Sequence, residues 1–216
     1  MVVFYKRLFY KYIGKNGEFY NWFLVNMLLH PRSIYETTRI QFSLTQQWHR
    51  RDHSITKLVV LINFFISVLF ALTFVSPIAM IPFIIFDVAI PFVLGLFISI
   101  TLFYIIKKSF TTGDIFTVRY SYDVHINSYY CYLFVSKILM FIFSPLLFQK
   151  SWIATIASNL LNCFADVFYI YVTYLGYAIL PHFKIPSKAV LTMIGVVLVF
   201  YGILTLCNVN LACLIF

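Results

Sequence analysis

A chain of 216 residues that is 62 % hydrophobic and 11 % charged, with mean hydropathy +0.91, lies far outside the soluble range, where about a quarter of residues carry charge. Lipid must cover such a surface, so the composition excludes a water-soluble globular domain and points to one integral membrane unit. The formal charge of +9 does not imply a nucleic-acid partner: nine of the sixteen Lys and Arg precede Leu58, and nearly all the rest fall between apolar runs, as expected for membrane orientation and attraction to anionic headgroups.

Residues 1–17 form a basic, aromatic arm, in which Lys6, Arg7, Lys11 and Lys15 interleave with Phe4, Tyr5, Phe9, Tyr10 and Tyr12. No signal peptide is visible, so the apolar run from Leu58 is expected to act as an uncleaved membrane signal. Phe19 to Leu29 is apolar apart from Asn21 and Asn26. It is too short to cross a hydrocarbon core of roughly 30 Å and must lie in the interface or pack on the bundle. After His30-Pro31, Ile34, Tyr35, Thr38 and Phe42 recur at helical spacing, with Glu36, Arg39 and Gln46 on other faces. This predicts an amphipathic helix along the cytosolic surface, ending before Trp48-His49-Arg50-Arg51-Asp52-His53.

The predicted fold class is all-α: a polytopic membrane bundle of five transmembrane helices with N-terminal cytosolic amphipathic helices over residues 1–57. The spans are predicted at about 58–75, 78–106, 129–148, 152–180 and 189–208, the second broken or kinked by Pro82 and Pro91. Nine Lys and Arg then precede the first span, three lie between the second and third, and two between the fourth and fifth. The opposite face carries only Lys150, and Lys137 falls inside a span. The positive-inside rule places the N-terminus in the cytosol and the C-terminus in the lumen. Gly195 and Gly202, one heptad apart, would permit close helix approach. Cys131, Cys163, Cys207 and Cys213 are read as buried thiols, with neither a disulfide framework nor a zinc site.

Asp87, Lys137 and Asp166 are ionisable groups at membrane depth, where each, unpaired, costs at least about 2.5–3.5 kcal/mol. Counted from the turn at 149–151, Lys137 and Asp166 lie at similar depths on adjacent antiparallel spans, which predicts a Lys137–Asp166 ion pair with Asp87 serving separately. They would be structural glue or, alternatively, part of a small transporter or lipid-handling protein. Asp123-x-His125-x-Asn127 ends the longest polar interruption and reads either as a metal or acid–base cluster or as a helix start with Asp123 capping the first turn. Positions i and i+2 diverge on a helix, which favours capping. No G-x-S-x-G, H-E-x-x-H, Walker loop or C-x-x-C occurs, so no catalytic residue, cofactor or metal site is assigned and an enzyme is not expected.

The segments Tyr120-Ser121-Tyr122-Asp123-Val124-His125-Ile126-Asn127 and Tyr169-Ile170-Tyr171-Val172-Thr173-Tyr174-Leu175-Gly176-Tyr177-Ala178-Ile179-Leu180-Pro181 resemble those of the uncoordinated-fifty family of Golgi multispanning proteins. Pro31, Tyr35, Gln47-Trp48, Arg50, Asp52 and Asp87 add to the resemblance, which departs from the family pattern at Arg51, His53 and Cys131. It implies a five-span protein of the Golgi and early secretory membranes, active in vesicular traffic and delivery of cell-surface proteins. The implied partner is a Sec7-type guanine-nucleotide exchange factor for Arf GTPases. Trp48, Arg50, Arg51, Asp52, Tyr122, Asp123, His125 and Asn127 are the expected partner-binding residues on a basic cytosolic face.

Overall fold

A computed structural model describes residues 17–45, 53–108, 117–180 and 187–215. The described residues are helical apart from short turns. Helix α1 (Gly17–Leu29) stops at His30, and α2 (Pro31–Thr45) starts on Pro31, which has no N–H to leave unpaired in a first turn. Tyr20, Phe23 and Met27 of α1 and Ile34 and Tyr35 of α2 share one hydrophobic cluster with the centre of the bundle. Both N-terminal helices therefore pack on the membrane helices. Only α2 is amphipathic, with Arg32, Glu36 and Arg39 exposed opposite buried Ile34 and Tyr35. Helix α1 is apolar around its circumference, with Trp22, Val25 and Leu29 facing outward.

Helix α3 (Ser54–Phe74) buries one stripe, Ile55, Val59, Asn63, Ile66, Ser67, Phe70 and Ala71, whose middle is polar. A turn through Ser76 leads to α4 (Met80–Lys107), which runs unbroken past Pro91. Its buried stripe, Gly95, Ser99, Phe103 and Ile106, begins with two small residues that let a neighbouring backbone come close. Helix α5 (Val118–Leu133) is capped by Thr117, whose hydroxyl accepts from the Tyr120 amide at 3.3 Å. The chain continues π-helical over Phe134–Leu139 and α-helical over Met140–Ile142. A short α6 (Ser144–Leu147) precedes α7 (Trp152–Ala178), capped by Ser151, and then come α8 (Ser187–Leu206) and α9 (Leu211–Ile215).

Among the described residues, four helices, α3, α4, α7 and α8, are long and apolar enough to cross a membrane. They match the first, second, fourth and fifth predicted spans. The third passage differs from the prediction. It begins at Val118, and its helical path to Ile142 covers roughly 35 Å at about 1.5 Å per residue. Its early turns are polar, yet 12 of the residues of α5 are buried, because α5 lies at the centre of the bundle between α3, α4 and α7. Protein takes the place of lipid around it, so low hydropathy does not bar it from the bilayer. Cys131 and Cys163 are buried as expected, whereas Cys207, in the turn after α8, and Cys213, within α9, are exposed.

Candidate functional site

The two tyrosine-rich motifs, at 120–127 and 169–181, face each other across α5 and α7. The Tyr120 hydroxyl donates to the Gly176 carbonyl at 2.5 Å, and Thr173 Oγ1 to Ser128 Oγ at 2.9 Å. His125 Nδ1 and the Tyr169 hydroxyl are 2.8 Å apart. The glycine is required here: a Cβ at Gly176 would stand 2.7 Å from Val124 Cγ1. On the other side of α5 the His125 ring lies against Gly95 of α4 and stacks on Tyr129, with centroids 5.9 Å apart and planes at 14°.

Asp123, His125 and Asn127 are consequently buried, inside the bundle rather than on a partner-facing loop, while Tyr122 is half-buried. Asp123 does not cap the helix: Thr117 does, and Asp123 sits in the second turn. Successive alternate residues lie about 200° apart on a helix, and among the described residues no group of three or more His, Cys, Asp or Glu is placed to hold a metal. Trp48, Arg50, Arg51 and Asp52 lie outside the described residues.

The intramembrane charges pair differently from expectation. Lys137 Nζ donates to both carboxylate oxygens of Asp87 at 2.7 Å and to Asn63 Oδ1 at 3.0 Å. Ser67 Oγ lies 2.5 Å from Asp87 Oδ2 and 2.7 Å from the Asn63 carbonyl, with one proton for the two. The Lys137–Asp166 pair does not form; Asp166 Oδ2 instead accepts from the Tyr201 hydroxyl of α8 at 2.7 Å. Depth along the helices is matched between Lys137 and Asp166, but azimuth decides the partner. Lys137 sits in the π-helical segment, where one extra residue in a turn rotates the succeeding helix by about 100°, and it faces α3 and α4 while Asp166 faces α8.

Asn63 and Ser67 complete this cluster and carry no charge that would draw attention to them. Their signal is two polar residues four apart in an otherwise apolar run. Asn63 also repairs the backbone. Pro91 has no N–H to give the carbonyl of Asp87, four residues earlier, and Asn63 Nδ2 donates to that carbonyl at 3.2 Å.

A second polar network closes the far end. Asn208 adopts φ 55°, ending α8 in the left-handed conformation common just past a helix C-terminus. Asn159 Nδ2 donates to Thr205 Oγ1 at 3.1 Å and to the Val209 carbonyl at 3.0 Å, while its Oδ1 accepts from the Leu211 amide at 3.4 Å. Ser158 Oγ accepts from the Ala212 amide at 3.1 Å, and Asn210 Nδ2 donates to the Leu147 carbonyl at 2.8 Å. Buried side chains of α7 thus supply what water would give this chain reversal in solution.

The chain is 25 % identical to "Protein unc-50 homolog" of Dictyostelium discoideum, over 96 % of this chain and 83 % of that relative. It is 24 % identical to "Protein GMH1" of Saccharomyces cerevisiae, over 90 % and 78 %, and to "Protein unc-50 homolog" of Rattus norvegicus, over 92 % and 79 %. No solved structure matches the chain. The UNC-50 family profile matches residues 4–216, taking in α1 to α9 and both facing motifs, and this chain belongs to the UNC-50 family.

Proposed function

We propose that this protein is a non-enzymatic membrane scaffold of the Golgi and early secretory pathway. Its N-terminus is cytosolic and its C-terminus lumenal. Its basic cytosolic face receives a Sec7-type Arf guanine-nucleotide exchange factor and so supports vesicle-mediated delivery of cell-surface proteins. Family membership supports the compartment, and the charge distribution along the sequence supports the orientation.

The observation that carries the scaffold reading is how the intramembrane polar groups are used. Asp87 and Lys137 bond to each other, to Asn63 and to Ser67, and Asp166 bonds to Tyr201. Groups committed to holding helices together are not left over to line a transport path, which weighs against a small transporter using Asp87, Lys137 and Asp166. Asp123, His125 and Asn127 enter the proposed docking only indirectly, by seating α5. The docking surface itself is assigned to Trp48, Arg50, Arg51 and Asp52 with the neighbouring cytosolic loops.

Affinity purification in mild detergent should recover a Sec7-type exchange factor, and Arg50→Glu with Arg51→Glu should cut recovery by about tenfold, as loss of complementary charge does. Recovery untouched by both reversals would remove this surface from the proposal. Glycosylation reporters fused to each end should be modified at the C-terminus alone. Modification of both ends, or of neither, would overturn the orientation.

A further inference from the structure

We infer that the groove between α2 and the last turns of α7 holds the headgroup of a single anionic phospholipid. The groove is a cavity of about 440 Å³ whose α2 wall carries Arg32, Glu36 and Arg39 and whose α7 wall carries Tyr171, Tyr174, Leu175 and Ile179. Its two walls have opposite chemistries. Arg32 and Arg39 are seven residues apart and share one face of α2, while Leu175, in the last turn of α7, and Ile179, which caps it, are four residues apart. Buried Ile34 and Tyr35 anchor α2, so the arginines are presented by a fixed helix.

Two guanidinium groups and one carboxylate leave one positive charge, the complement of the single net negative charge of phosphatidylserine or phosphatidylinositol, which the zwitterionic phosphatidylcholine headgroup lacks. The Arg32–Glu36 contact is 3.2 Å long between side chains 80 % and 63 % exposed, a surface pair weak enough to rearrange around a ligand. Guanidinium groups bind phosphate in a two-pronged geometry. Tyrosines are at home at headgroup depth, and the site lies where the apolar length of α7 runs out. A phosphate at the level of Arg39 would let its acyl chains descend along Leu175 and Ile179. An acidic peptide would satisfy the arginines and leave that apolar wall uncovered, so the groove favours a lipid. The inference is independent of the exchange-factor reading and needs only that α2 lie at the bilayer surface.

The test uses the full-length protein in detergent, equilibrated with mixed micelles of phosphatidylcholine and either phosphatidylserine or phosphatidylinositol, with retained lipid counted by native mass spectrometry. About one anionic lipid per chain should be retained. Arg32→Gln with Arg39→Gln should lower retention about tenfold, whereas Lys57→Gln with Lys188→Gln, an equal loss of charge outside the groove, should not. Arg39→Gln alone should give an intermediate loss, which keeps the test usable if the double variant elutes as aggregate. Equal losses in both doubles, or no loss in the groove variants, would overturn the assignment. So would equal retention of phosphatidylcholine, or displacement by soluble glycerophosphoserine at matched concentration, because either would make the charge or the acyl wall irrelevant.

Discussion

The imidazole of His125 occupies the space that a side chain at Gly95 would need: a Cβ there would fall 1.9 Å from Nε2. The ring is in turn held by Tyr169 of α7 and stacked on Tyr129, so one histidine sets the spacing of α4, α5 and α7. Gly95→Ala should therefore overpack the centre, costing about 1–3 kcal/mol or more. It should lower the detergent melting temperature, and adding His125→Ala should restore part of the loss. Gly195→Ala and Gly202→Ala should behave oppositely. A Cβ at either position would meet no atom within 4 Å, and removing a flexible glycine from a helix gains up to about 1 kcal/mol. Similar melting temperatures for Gly95→Ala and Gly195→Ala would refute this account of the α4–α5 contact.

The ion pair of α4 with the π-helical segment makes a sharper prediction, because depth counted along the sequence favours Asp166 while the structure pairs Lys137 with Asp87. Lys137→Met leaves the Asp87 carboxylate without its cation, and breaking such a pair costs about 3–5 kcal/mol. Lys137→Met with Asp87→Leu should recover much of the lost expression and melting temperature, short of full recovery because Ser67 and Asn63 lose partners too. Lys137→Met with Asp166→Leu should be no better than the singles. Recovery in that second double, and none in the first, would reassign the pair.

Hydropathy locates α3, α4, α7 and α8 to within a few residues because each is apolar over most of its circumference. It starts the third passage about three turns late, since residues 118–128 are polar and yet covered by neighbouring helices. Asp87, Lys137 and Asp166 stand out as costly charges, but their partners do not. Partner choice depends on rotation about the helix axis, and the π-helical turn that sets it for Lys137 has no compositional mark. Asn63, Ser67, Asn159 and Tyr201 are legible only as polar residues in apolar runs, with nothing in one sequence to say which helix each faces. The two motifs at 120–127 and 169–181 are conspicuous, but their role as opposite sides of one helix contact emerges only in three dimensions.

Asn63 and Pro91 should be coupled although they lie on different helices. Asn63→Leu removes the donor to the Asp87 carbonyl that Pro91 leaves unpaired and the acceptor for Lys137, with a cost of about 1–3 kcal/mol per buried group left unmatched. Pro91→Ala restores the missing backbone N–H. Its effect on the melting temperature should be more favourable in the Asn63→Leu background than in the unmodified protein. Strict additivity of the two changes would show that the Asn63 amide does not substitute for the helix hydrogen bond.

Asn159 holds the reversal between α8 and α9 by three separate contacts, to Thr205, Val209 and Leu211. Replacing it with leucine keeps the volume and removes all three partners, leaving the part-buried Val209 carbonyl and Leu211 amide unmatched, at a cost of up to about 1–3 kcal/mol. Asn159→Leu should speed hydrogen exchange at the Leu211 amide strongly. The Ala212 amide should respond less, since it keeps acceptors in Ser158 and Asn210. Exchange across the facing motifs of α5 and α7 should stay unchanged, because their contacts lie nearer the opposite end of α7. Uniform acceleration along α5, α7 and α8 would mean that Asn159 supports the whole bundle, and protection of Leu211 equal to that in the unmodified protein would mean that the amide network does not hold α9 in place.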